Sequence, residues 1–87
     1  MIEENNEQEK SALRTLRELA GLTRPQVKGF IGVSERRQAD WESGEAMPSL
    51  GNFLALARLY KVSLKALAKS MRLDVSGIPD DEPPDDA

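Results

Sequence analysis

Four long polar side chains, Glu35, Arg36, Arg37 and Asp40, fall within a span of six residues, and their chemistry suits the edges of nucleic-acid bases. An arginine fork pairs bidentately with O6 and N7 of guanine, and a carboxylate accepts from the N4 amino group of cytosine. Ser34 stands just before them. A serine hydroxyl at a helix start, together with the free N–H groups there, is suited to a phosphate. Arg24, further upstream, is a cation placed to meet a phosphate backbone.

Most other chemistry is excluded by composition. The 87 residues contain no Cys and no His. Thiolate or imidazole zinc sites, disulfide frameworks, cysteine nucleophiles and Ser-His-Asp triads all require one or the other. Nothing pairs a nucleophile with a base, so no enzymatic activity, cofactor or metal is expected. A chain this short is at most one domain, with a thin core and little room for a catalytic cleft. Its apolar runs are too short to span a bilayer and its acidic start does not read as a signal peptide, so the expected location is cytoplasmic.

The net charge of −3 argues against a nucleic-acid partner until it is divided along the chain. Residues 1–10 carry a net −3, residues 74–87 a net −6, and residues 11–73 a net +6. The acidic average therefore conceals a basic domain between two acidic arms. The arms are almost wholly polar, and the second contains Pro79, Pro83 and Pro84. Neither has the apolar area to offset ordering, so both are expected to be flexible and solvated. An acidic mimic of phosphate, competing for the basic domain, is the functional alternative.

The elements that must position these residues are helical. Ala12, Leu13, Leu16, Leu19 and Ala20 recur at intervals of 3 and 4, which predicts one shared face ended by Gly21. Thr23 opens a second helix, with Gln26 completing a capping-box pattern and Pro25 in the first turn. Val27, Phe30 and Ile31 follow at helical spacing, and Gly32 supplies a turn that needs positive φ. Ser34 caps a third helix running from about Glu35 to Glu42, ended by Ser43-Gly44. Ser49 caps a fourth, with Leu50, Phe53, Leu54, Ala57 and Tyr60 on one face. Ser63 caps a fifth, with Leu64, Leu67, Ala68 and Met71 in a stripe. No segment alternates with period 2 for long enough to be a strand. The expectation is an all-α, five-helix domain over residues 11–73. Its second and third helices form a helix-turn-helix that presents residues 34–42 outward, in the size range that a DNA major groove admits.

In their order and spacing, several segments resemble one family. They are Leu22-Thr23-Arg24-Pro25-Gln26-Val27, Ile31-Gly32-Val33-Ser34, Trp41-Glu42-Ser43-Gly44, Pro48-Ser49 and the run from Leu56 to Leu64. Together they are similar to the XRE/Cro-like phage-repressor helix-turn-helix family. The resemblance covers residues 11–73 and implies a compact lambda-repressor-like fold that binds double-stranded DNA, usually as a homodimer on a palindromic operator. It implies that Ser34, Glu35, Arg36 and Asp40 read base edges or neighbouring phosphates, flanked by Arg37 and Ala39. It implies that Arg24 and Ser43 grip phosphates, and that Glu42 is structural, tying the end of the third helix to the following loop.

Three positions depart from that pattern. Lys28 replaces a small residue where two helices approach, Gln38 replaces an inward apolar residue, and Phe30 occupies a commonly polar position. A lysine can keep its ammonium wet while its stem lies on the surface. A buried glutamine must find partners or cost about 1–3 kcal/mol. These departures, with the acidic arms, support a second expectation: a protein-interaction module such as an antitoxin, co-regulator or adaptor, contacting its partner through Phe30, Lys28 or the arms. Trp41 is expected in the core rather than against bases. Lys61, Lys65, Lys69 and Arg72 form a basic stripe on the fifth helix, read as a solvated face, with a phosphate or the acidic arm as its alternative contact. Met71 and Leu73 are the expected dimer contacts.

Overall fold

The computed structural model describes residues 11–80; the two acidic ends at 1–10 and 81–87, on which the expectations for the arms largely fall, lie outside the described residues. Five α-helices succeed one another: α1 (Ala12–Leu19), α2 (Arg24–Ile31), α3 (Glu35–Ser43), α4 (Leu50–Tyr60) and α5 (Leu64–Ser70). No strand occurs among the described residues. The fold is the expected all-α, five-helix helix-turn-helix domain.

Each helix starts where a side-chain oxygen can satisfy an otherwise orphaned N–H. Ser11, Thr23, Ser34, Ser49 and Ser63 accept from the backbone N–H of Arg14, Gln26, Arg37, Asn52 and Ala66. Thr23 and Gln26 form the full reciprocal capping box. The stops are equally local. Gly32 and Gly44 end α2 and α3 at φ of 73° and 88°, where a β-carbon would be strained. Lys61 ends α4 in the same left-handed region without that freedom, at φ 58°.

The core is small. Leu13, Val27, Val33, Trp41, Leu56, Ala57, Tyr60 and Leu67 are its buried hydrophobics. Trp41 is 5% exposed, which places it in the core as expected. Helix α1 packs against α3, α4 and α5, while α2 packs on α3 and α4 on α5. Thus α1 is the hub that carries the helix-turn-helix.

The largest departures from the sequence pattern are on α1 and α4; Phe30 on α2 and Leu64 on α5 are exposed as well. Leu19 is 79% exposed, and Arg17 takes the interior place beside Leu13. Leu13 and Arg17 lie one turn apart, whereas Leu19 is rotated by about 120° from Leu13. The 3-and-4 spacing from Leu16 to Leu19 follows the edge of the face and then leaves it. Leu50 is 73% exposed because it occupies the first turn of α4, ahead of the buried stretch Leu56, Ala57 and Tyr60. No helix of the described residues is long and apolar enough to cross a membrane.

Beyond α5 the chain turns back. The Asp74 carboxylate accepts from the N–H and hydroxyl of Ser76 at 2.9 and 2.6 Å. Those bonds hold its carboxyl below the usual aspartate range. Lys65 on α5 donates to the Ile78 carbonyl at 2.9 Å and meets Asp80 at 3.3 Å. The first part of the acidic segment therefore reaches Lys65; of the four residues expected as a basic stripe on the fifth helix, Lys65 and Lys69 lie on α5, whereas Lys61 ends α4 and Arg72 follows α5.

Candidate nucleic-acid interface

Helix α3 has an inner and an outer face. Gln38, Trp41 and Glu42 are buried, while Glu35, Arg36 and Arg37 are exposed and Asp40 is half-buried. A helix anchored along one side and polar along the other can present the polar side as a rigid unit.

The anchor is a buried ion cluster. The Glu42 carboxylate accepts from Arg17 Nε at 2.8 Å through one oxygen. Through the other it accepts from Arg24 Nη2 at 2.7 Å and Nε at 3.2 Å. The Arg17 and Glu42 side chains are only 8% and 5% exposed. Arg17 also donates to the Leu22 carbonyl at 3.0 Å, pinning the turn between α1 and α2. Desolvation opposes charge here, but the short hydrogen bond to Glu42 outweighs it and raises the Arg17 pKa further. Tyr60 packs close by. Burial, reinforced by the Glu42 charge, pushes its phenol up to about 12.

This geometry corrects the reading of Glu42. It does hold the end of α3, but it fastens it to α1 and to the start of α2 rather than to the loop after it. The loop is closed by backbone, with the Asp40 carbonyl accepting from the N–H of Glu45 and Ala46 at 2.9 and 3.2 Å. Arg17 was not singled out by the sequence reading. The available signal was its register, one turn after Leu13 on the apolar side of α1.

Gln38 is the second anchor. At 2% exposure it is as buried as the apolar residue expected at this place. Its Nε2 donates to the carbonyls of Arg24 and Val33, each at 3.0 Å, bridging the start of α2 to the turn. Its Oε1 has no partner and is fully buried. The glutamine thus meets half of its hydrogen-bonding need. Lys28 is exposed on α2, with its charge in solvent.

On the outer face, Arg36 is 87% exposed and stands 3.9 Å from Asp40 one turn later. Such a contact is worth about 0–1 kcal/mol and leaves both groups available. No ion pair holds Arg37 or Glu35 among the described residues. At the helix start, the Ser34 oxygen accepts from Arg37 N–H at 3.1 Å, which leaves its hydroxyl hydrogen to donate. Ser43 donates to the Asp40 carbonyl at 3.2 Å. Arg24, one-third exposed, shows the Glu42 carboxylate its Nε–Nη2 edge. The structure thus brings Arg24 and Ser43 to one flank of α3, with Glu35, Arg36, Arg37 and Asp40 along its outer side.

Among the described residues, no group of three or more His, Cys, Asp or Glu is placed to hold a metal ion. No curated protein and no solved structure matches the chain significantly. A family model described as a helix-turn-helix domain matches residues 11–70, well over half of the chain. Domains of that family are XRE-like, are in general DNA-binding regulators, and are not as a rule enzymes. With two short helices joined at Gly32 and the second fixed from within by Glu42 and Gln38, the chain belongs to the helix-turn-helix domain family.

Proposed function

We propose that this protein is a sequence-specific transcriptional regulator of the XRE/Cro type that inserts α3 into the DNA major groove, as a homodimer on a palindromic site. The observation that carries the reading is the division of α3. Its inner residues are committed to hydrogen bonds and packing, while Glu35, Arg36, Arg37 and Asp40 stand outward with at most one weak contact. In this reading those four contact base edges, and Arg24, Ser34 and Ser43 contact phosphates that set the register.

A selection of bound sequences from random duplex DNA tests the proposal. An enriched palindrome is the expected result, and no enrichment over input would overturn it. Against the selected site, Arg36→Ala should cost about 1–3 kcal/mol and relax preference at one base pair.

One observation favours a second reading. Phe30 is 67% exposed on α2, an aromatic surface residue that suits a protein partner. Titration of random duplex at 50 mM salt separates the two. Absence of any binding there would favour the protein-interaction module.

A further inference from the structure

An open cavity of about 320 Å³ lies along the flank of α3, and three arginines line it: Arg14 from α1, Arg24 from α2 and Arg72 from the segment after α5. Ser11 and Ser43 add two serines, and Glu42 is the one carboxylate in its lining among the described residues. These residues are far apart in sequence, so only the fold assembles them.

The electrostatics of the cavity favour an anion. Glu42 is already shared by two guanidiniums, Arg17 and Arg24, so it does not neutralise Arg14 or Arg72. Arg14 meets Glu18 at 2.9 Å across an exposed helix turn, a contact weak enough to exchange for a better anion. Arg72 has no ion-pair partner among the described residues, and its Nη1 stands 4.0 Å from where a β-carbon on Gly44 would lie. Its guanidinium therefore reaches the end of α3. Arg24 is held by Glu42 through Nε and Nη2, which leaves Nη1 uncommitted. Among the described residues, four guanidiniums, Arg14, Arg17, Arg24 and Arg72, gather against two carboxylates, Glu18 and Glu42, and planar forks match the oxygens of a phosphate.

We propose that this cavity binds a phosphate group through Arg14, Arg24 and Arg72, and that in the functional complex the group is a phosphodiester of the DNA backbone beside the helix in the groove. The assignment to DNA rests on the function proposed above; the phosphate chemistry does not. It adds Arg14, Arg72 and Ser11, which lie outside the helix-turn-helix, to the residues that fix its register.

The test uses the full chain and two probes. Against duplex DNA, Arg72→Gln and Arg14→Gln should each weaken specific and random sequence alike, by about tenfold at 0.1 M salt. Each should also flatten the dependence of log affinity on log salt by about one. Arg58→Gln, an exposed arginine on α4 outside the cavity, should leave that slope unchanged. Against inorganic phosphate, the side-chain Nε–H resonances of Arg14 and Arg72 should shift and saturate. Saturable phosphate binding by a protein that binds no duplex DNA would keep the site, assign it to a free phosphate and reject the proposed function. Duplex binding with unchanged slope in both variants, together with no saturable phosphate shift, would overturn the site and leave the proposed function standing.

Discussion

The inner and outer faces of α3 both carry polar or charged side chains, yet the fold uses them in opposite ways. Inside, Glu42 and Gln38 are charged or polar and almost fully buried, with three and two hydrogen-bonded contacts at 3.2 Å or less. Outside, Glu35, Arg36 and Arg37 are equally polar and have no such commitments beyond one contact of 3.9 Å. Polarity alone therefore does not mark the functional face of a recognition helix. The difference lies in how many of a side chain's bonds are already made.

Substitutions can break that comparison, and the inner face should respond most. Glu42→Ala leaves Arg17 buried and unpaired, with an expected loss of about 3–5 kcal/mol of stability by urea denaturation. Replacing the Arg17–Glu42 pair by Met and Leu together should cost much less, because the one charge then left without its partner, on Arg24, is one-third exposed rather than buried. A double variant as unstable as Glu42→Ala would show that the pair itself, not the stranded charge, sets the cost.

Tyr60 gives a pH test of the same interior. Its phenol loses its proton near pH 10 in the unfolded chain and near pH 12 in the folded one. The folded pKa is the higher, so this contribution to stability is complete below pH 10 and is lost as pH rises through 12. Tyr60→Phe should remove about 2 kcal/mol of the decline between those limits. Urea midpoints for both proteins from pH 9 to 12 measure the difference, and parallel curves would refute it.

Gln38→Leu should cost about 1–2 kcal/mol. It removes the desolvated Oε1 but also strips the buried Val33 carbonyl of its Nε2 donor. A gain in stability would show that the orphaned oxygen outweighs the two bonds. On the outer face, Arg36→Ala and Arg37→Ala should change stability by less than about 0.5 kcal/mol. A thermal shift beyond that range would mean that the outer face is also built into the fold.

Much of the architecture was legible in the sequence because it is written in local rules. Thr23, Ser34, Ser49 and Ser63 cap where a serine or threonine precedes an apolar period, and Gly32 and Gly44 stop where φ must be positive. Periodicity was less reliable at the edges of faces. Leu19 obeys the spacing of α1 and yet points to solvent, because α3 and α5 set which side of α1 is covered. The ion cluster was hidden for another reason. Arg17 and Glu42 are 25 positions apart, and nothing local says that an arginine on an apolar stripe has a partner waiting on a later helix. The same holds for Arg72, whose approach to the end of α3 depends on how the chain leaves α5.

The Arg17–Glu42–Arg24 cluster has a kinetic corollary. One carboxylate fastens α1 and α2 to α3, so no two of these helices can loosen without exposing a charge that the third still needs. The helix-turn-helix should therefore open and close only together with α1. Slow amides in α1 and α3 should exchange with the same free energy, as one cooperative unit rather than as a detachable motif.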